Sequence, residues 1–164
     1  MSTVHIVYGP QGAGKSSYAL ALSEREQALR LSIDPWMAEL FGPDVPQRGT
    51  MGWIMTRVAR CESRIWQTAS EVAKKGVPVV LDLGFMRASD RERFACLAAQ
   101  SGLQVRRHFV SADAVVRRAR VQERNQVRGA TFAFEVTPDM FDAMEPQFEE
   151  PSAEELANST VHRS

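Results

Sequence analysis

Only two of the 164 residues are cysteine, three are histidine and two are tyrosine. Cys61 and Cys96 have no second Cys or His at metal-ligand spacing, so neither a zinc site nor a disulfide framework is expected. Both sit in helical patterns and read as reduced, mostly buried thiols, which fits a reducing cytoplasm. Charge of one sign is also lacking. Twenty basic residues balance twenty acidic ones, so nothing global draws the chain to nucleic acid or to an anionic membrane. No run approaches the ~20 apolar residues that a membrane span needs, and no basic leader precedes an apolar stretch. Internal repeats and low-complexity linkers are missing too. Hydrophobic residues at 44% and charged residues at 24% are ordinary for a globular chain. The expectation is one domain over 1–156, followed by a loosely held polar tail at 157–164.

Charge is uneven locally. Seven arginines fall between Arg106 and Arg128, against only Asp113 and Glu123. Eight acids and no Lys or Arg fall between Glu135 and Glu155, a stretch that reads as a solvated face.

Hydrophobic periodicity gives an alternation of strands and helices. Val4–Tyr8 is a β-branched run ending at Gly9 and reads as a buried strand. Lys15 to about Gln27 has helix-forming composition. Arg30–Ile33 is a weaker strand, stopped by Asp34-Pro35. Residues 41–47 read as loop. Met51–Lys75 is the clearest helix, with Met51, Ile54, Val58, Cys61, Ile65, Ala69 and Val72 on one face and Gly76 as its stop. Val79-Val80-Leu81 reads as a strand covered on both faces. A helix at 90–100, a strand at 104–110, a helix at 112–126 and a short helix at 138–144 with Thr137 as N-cap complete the pattern. Thr160–His162 is at most a minor last strand. This order predicts an α/β three-layer fold with a mainly parallel sheet, and ligands at the carboxyl ends of its strands. Gly9, Asp34, Asp82 and Ser111 all stand at such ends.

Gly9-Pro10-Gln11-Gly12-Ala13-Gly14-Lys15-Ser16 matches G-x-x-x-x-G-K-[ST] in full. Its glycines let backbone N–H groups wrap phosphate oxygens, and the following helix points its positive end at the same anion. The expected nucleotide contacts are Gly9, Gln11, Gly12, Ala13, Gly14, Lys15, Ser16 and Ser17. Lys15 would reach the β- and γ-phosphates, and Ser16 would ligate Mg²⁺. ATP–Mg²⁺ is the expected ligand pair, since no Asn-Lys-x-Asp run for guanine is present. Asp82, at the end of its apolar strand, stands where a carboxylate holds the metal or its water.

Asp34 ends the second strand. It can be the base that accepts a hydroxyl proton, or simply an Asp-Pro turn former. Arg117, Arg120 and Arg124 share one helix face at i, i+3 and i+7, where they would neutralise charge over a phosphate site. The bland alternative is a basic solvated face. Trp36, Phe41, Trp53 and Arg57 cluster as an acceptor pocket of apolar walls with a cation, or else as ordinary core. Trp66 reads as core, and His5, His108 and His162 as structural or surface residues.

Gly9–Ser17, Ser32-Ile33-Asp34, the run Val80-Leu81-Asp82-Leu83-Gly84-Phe85, Arg117–Asn125 and Phe148-Glu149-Glu150-Pro151 carry a resemblance over nearly the whole chain. The sequence resembles the small P-loop kinases of the zeta-toxin, chloramphenicol phosphotransferase and polynucleotide-kinase neighbourhood. It is most similar to the bacterial AAA-domain ATP-binding proteins read as kinases. That resemblance implies a sheet ordered 2-3-1-4-5, Asp34 as general base, and an arginine helix within a mobile lid at about 117–135. Arg120 and Arg124 then come first among the lid residues and Arg117 next. The expected activity is ATP-dependent phosphorylation of a hydroxyl on a small molecule. A polynucleotide 5′-kinase, and a nucleotide-binding switch or ATPase without an acceptor, are the rival expectations.

Overall fold

The computed structural model describes residues 2–129 and 132–164. Five strands form one sheet in the order β2-β3-β1-β4-β5, every neighbouring pair parallel. The strands are β1 (Thr3–Tyr8), β2 (Leu29–Ser32), β3 (Val79–Asp82), β4 (Gln104–Ser111) and β5 (Ser159–Arg163). The helices are α1 (Lys15–Arg25), α2 (Ile33–Phe41), α3 (Thr50–Lys74), α4 (Ala88–Gln100), α5 (Ala114–Val127), α6 (Pro138–Met144) and α7 (Ala153–Ala157). Parallel strands need crossovers: α1 carries the chain from the central β1 to the edge strand β2, α3 leads back to β3, and α4 crosses to β4. The main core lies under α3 and α4, where Val4, Ile6, Ile65, Ala69, Val79 and Leu81 are wholly or nearly wholly buried. Each large aliphatic residue buried there contributes about 1.5–3 kcal/mol. A smaller core under α1 holds Val7, Ala19, Leu22, Val80 and Val110. Both faces of the central strands are therefore covered, as their continuous apolar runs require. No helix among the described residues is long and apolar enough to cross a membrane.

Several expected boundaries move. The second strand stops at Ser32, and Ile33 opens α2, a helix absent from the sequence reading. Pro35 stands in its first turn, where a missing N–H costs nothing, and Asp34 there favours the positive helix end. Gly76 does end α3, at φ +90, and the Thr137 hydroxyl does cap α6 by accepting from the Met140 N–H. The segment 157–164 is not a loose tail. Ser159–Arg163 forms β5, paired along its length with Arg107–Ser111 of β4. Cys61 is buried as expected, whereas Cys96 is exposed beside Glu92.

β5 is anchored by Arg91, a fully buried arginine on α4. Its Nε and one terminal nitrogen donate to the two carboxylate oxygens of Glu155, at 2.6 and 3.0 Å. Its remaining donors reach the carbonyls of Phe85 and Glu149, each at 3.1 Å. The guanidinium lies 4.8 Å from the centre of the Tyr8 ring. A buried charge of this kind is tolerable only because every side of it is bonded.

Two buried histidines join β1, β4 and α1. The Tyr18 hydroxyl lies 2.9 Å from His108 Nδ1, and His108 Nε2 lies 2.9 Å from His5 Nδ1. This chain closes if Tyr18 donates to a neutral His108, which in turn donates to His5. Burial, reinforced by His5, holds the His108 pKa down at about 4, against 6.5 for an ordinary histidine. The unfolded chain thus binds a proton below pH 6.5 that the native protein refuses until about pH 4. Stability is expected to fall as pH drops from 6.5 to about 4, by up to roughly 3 kcal/mol from this group. Urea unfolding across that window checks it: His108→Gln should flatten the slope, and an unchanged slope would remove His108 as its source.

Candidate functional site

The carboxyl ends of the parallel strands lie at one edge of the sheet, so the loops leaving β1, β2, β3 and β4 meet there. The loop after β1 is held by two close backbone approaches. A Cβ on Gly9 would stand 1.9 Å from the Val110 carbonyl oxygen. A Cβ on Gly12, whose φ is +76, would stand 2.6 Å from the Arg117 carbonyl oxygen and 3.0 Å from Val121 Cγ2. Only glycine fits at either position. The loop is thus wedged between the end of β4 and the first turns of α5, with α1 opening directly behind Gly14. Lys15 Nζ donates to the Pro10 carbonyl at 2.9 Å, bridging the loop's own ends.

Three charged side chains, Lys15, Asp34 and Asp82, lie near enough beyond this loop to influence one another's charge. Burial lowers the Lys15 pKa, opposed by the nearby carboxylates of Asp82 and Asp34. Asp34 stands in the first turn of α2. The surrounding protein desolvates its carboxyl and raises its pKa, the charge of Asp82 adds to this, and Lys15, Arg124 and Arg30 pull the other way. The residue as a whole is nonetheless exposed.

The acidic stretch is largely solvated, as its composition suggests: Glu135, Asp139, Asp142, Glu149, Glu150 and Glu154 are exposed. Four of its acids also pair with arginines. Arg117 bonds both oxygens of Glu145, Arg118 bonds Asp142, and Arg128 pairs with Glu135 at 3.8 Å. Asn125 ties the same segment down through both backbone groups of Val136. Glu149 accepts the Ala88 N–H at the start of α4, and Glu155 holds Arg91. Among the described residues Arg120 and Arg124 pair with no carboxylate. Arg120 reaches over the loop, donating to Ser164 Oγ at 2.9 Å and lying 3.5 Å from the Ala13 carbonyl. Arg124 Nε is buried with no hydrogen-bond partner, and the charge of Arg124 is felt at Lys15 and Asp34.

Arg117 departs from the expected phosphate contact. It is buried, and its donors go to Glu145, to the Ala112 carbonyl at 2.9 Å and to the Gln11 carbonyl at 3.0 Å. It holds the loop rather than a ligand. With Gly12 packed on the backbone of α5, the first turns of this helix are docked on the loop, so any lid movement lies beyond them. Residues 130 and 131 of the expected lid at 117–135 lie outside the described residues.

Asp82 is nearly fully buried. Its Oδ2 accepts from Arg30 at 2.8 Å and from Ser32 Oγ at 3.2 Å, and its Oδ1 takes no hydrogen bond among the described residues. The sequence reading missed Arg30. The available signal is a cation and a hydroxyl, Arg30 and Ser32, alternating with the buried Leu31 and Ile33. Of the expected acceptor pocket, Trp36 and Phe41 pack against the main core. Arg57 lies 3.6 Å over the Trp53 ring, 5.8 Å from the Phe41 ring, and donates to the Trp53 carbonyl. Trp66 packs edge-on against Phe94, as core.

The residues present fit a nucleotide and Mg²⁺. The loop offers backbone to an anion with its glycines at the close approaches, Ser16 follows the lysine, and Arg124 has an unsatisfied buried donor. Among the described residues no three His, Cys, Asp or Glu side chains gather into a metal cage. Mg²⁺ does not need one, because it takes few protein ligands beside phosphate oxygens and water. A cleft of about 550 Å³ adjoins Pro10, lined also by Ser111, Asp113, Glu150 and Arg163.

Comparison with known proteins agrees with this architecture. A family model described as an AAA domain matches residues 4–151. No curated protein matches the sequence. The fold is similar to that of a candidate kinase from Chloroflexus aurantiacus, with a TM-score of 0.71 at 17% identity over 99% of this chain and 84% of that one. It is also similar to a gluconokinase from Sinorhizobium meliloti, with a TM-score of 0.62 at 16% identity over 99% and 82%. An APS kinase of Mycobacterium tuberculosis, in complex with AMPPNP and APS, gives a TM-score of 0.65 at 16% identity over 99% and 87%. The sheet order expected from the sequence, 2-3-1-4-5, is the order found, in the fold of P-loop kinases.

Gly9→Ala should lower stability by about 2 kcal/mol or more, because the added methyl meets backbone. Gly42→Ala, with nothing within 4 Å of its Cβ, should be nearly silent. Thermal melts of the two variants side by side check this, and equal melting temperatures would contradict the wedged loop.

Proposed function

Because the chain belongs to the AAA-domain family, we propose that it is an ATP-dependent phosphotransferase acting on a hydroxyl of a small molecule. One observation carries this reading: beside the glycine loop, the charges of Asp34, Asp82 and Arg124 are all felt at Lys15, and among the described residues Arg124 pairs with no carboxylate. Each has a task in transfer. The loop from Gly12 to Ser17 binds the phosphates, and Lys15 leaves the Pro10 carbonyl for the β- and γ-phosphate oxygens. Ser16, with Asp82 behind it, holds the metal side of the nucleotide. When bound, Mg²⁺ supplies charge neutralisation across the phosphates. The cleft beside Pro10 receives the nucleoside.

Asp34 accepts the proton of the acceptor hydroxyl as its oxygen attacks the γ-phosphorus. The bond from that phosphorus to the β–γ bridging oxygen breaks, and its electron pair leaves with ADP. Arg120 and Arg124 meet the charge that spreads over the equatorial oxygens. Asp34 is exposed on α2, and the acceptor is assigned to the α2 and α3 side, where Arg57 lies over the Trp53 ring next to Phe41.

The charge pairing counts against a polynucleotide substrate. A phosphodiester track needs several free cations in a row, and Arg117, Arg118 and Arg128 are already matched by Glu145, Asp142 and Glu135.

The test is ADP production with Mg²⁺ and pooled hydroxyl compounds, in the wild type and in Asp34→Asn. Removal of the base should lower the acceptor-dependent rate by about 10²–10⁴-fold while leaving nucleotide binding intact. Because the Asp34 pKa is raised, the acid limb of the acceptor-dependent rate should lie above the ordinary carboxylate range. An acceptor-dependent rate indifferent to Asp34→Asn would remove the base from the scheme.

A further inference from the structure

A buried carboxylate beside a nucleotide-binding loop would bind a divalent cation well if both its oxygens were free. Asp82 is not in that state. β2 and β3 run parallel in a register that sets Ser32 opposite Asp82 and Arg30 opposite Val80. Side chains two residues apart share a face of a strand, so Arg30 and Ser32 both lie on the face from which Asp82 projects. Arg30 donates to Oδ2 at 2.8 Å and Ser32 donates to the same oxygen. The pair is shielded, with 19% of the Arg30 side chain and 5% of the Asp82 side chain exposed. Arg30 Nε is buried without a partner, so the guanidinium is not fixed there by a wider network. Its placement is explained by Asp82.

From this geometry we infer that Arg30 is a positioning residue that restrains Asp82, occupying Oδ2 and cancelling its charge so that Asp82 meets Mg²⁺ only through Oδ1. The inference rests on the nucleotide-binding reading above. A carboxylate presenting one oxygen against a neighbouring cation attracts a divalent ion much less than a free one. The metal then stays with the phosphates rather than with the protein. It arrives with ATP and leaves with ADP, which suits an enzyme that must release a magnesium-bound product at each turnover. Ser32 contributes in the same direction and more weakly, as a neutral donor at longer range.

The test is a Mg²⁺ titration of binding to a fluorescent ADP, which reads the metal without needing an acceptor. Arg30→Met should lower the Mg²⁺ concentration for half-maximal binding by about tenfold. Arg30→Lys, which keeps a cation, should stay near the wild type. Adding Asp82→Asn to Arg30→Met should abolish the gain. Ser32→Ala should shift the midpoint by a few-fold in the same direction, and it gives the same reading if Arg30→Met does not fold. An unchanged or raised Mg²⁺ midpoint in folded Arg30→Met, or in Ser32→Ala if that alone folds, would overturn the inference. If the wild type bound no ADP at any Mg²⁺ concentration, the nucleotide reading itself would fall instead.

Discussion

The site depends on one close approach, that of Gly9 to the Val110 carbonyl at the end of β4. It fixes where the phosphate-binding loop leaves the sheet. A second approach, of Gly12 to the backbone of α5, then fixes how the loop turns. Between them they leave no freedom for a side chain, and Arg117 locks the arrangement by bonding the Gln11 carbonyl from a buried position. Lys15 and Ser16 inherit their places from that loop, and Asp34 and Asp82 inherit theirs from the register of β2 and β3. The loop and the two carboxylates thus meet because the central strands, running parallel, end on the same edge.

Charge is arranged with similar economy. The chain is neutral overall, yet its cations and anions lie in separate stretches that fold against each other. The acids from Glu135 to Glu155 neutralise Arg91, Arg117, Arg118 and Arg128, and the arginines without a carboxylate on α5 are the two that face the loop. Buried ion pairs are weak evidence for stability, since desolvation offsets much of their attraction. Here they have a clearer consequence. Arg91 brings Glu155, and with it the strand β5, to the edge of the sheet, and Arg117 ties α5 to the loop.

How much of this was legible in the sequence depends on range. The phosphate loop is local, with every requirement met within eight residues, and so it was read in full. The apolar runs of β1 and β3 and the periodic face of α3 were equally plain. The helix α2 was hidden by Asp34-Pro35, which signals a stop to a strand but is also a good first turn for a helix. β5 was hidden because its outer face is polar. Its place in the sheet follows from pairing with β4 about fifty residues earlier, not from its own composition. The acid-rich stretch is mostly solvated, as its composition suggests, but nothing in its own residues names the arginines that four of its acids meet. The role of Arg30 was hidden for the same reason, since its partner lies 52 residues away on β3. Asp34 reads both as base and as turn former because an Asp-Pro pair serves either use, and its proximity to the charge of Lys15 is a tertiary feature that its neighbours in sequence do not announce.

The central claim is that this cleft moves a phosphoryl group to a hydroxyl and not merely to water. The most direct measurement follows the label of γ-³²P-ATP incubated with the protein, Mg²⁺ and a deproteinised metabolite extract. The account predicts label in an acid-stable organic phosphate in excess of that in inorganic phosphate. Label found solely in inorganic phosphate, at a rate indifferent to the extract, would contradict it and leave an ATPase in its place.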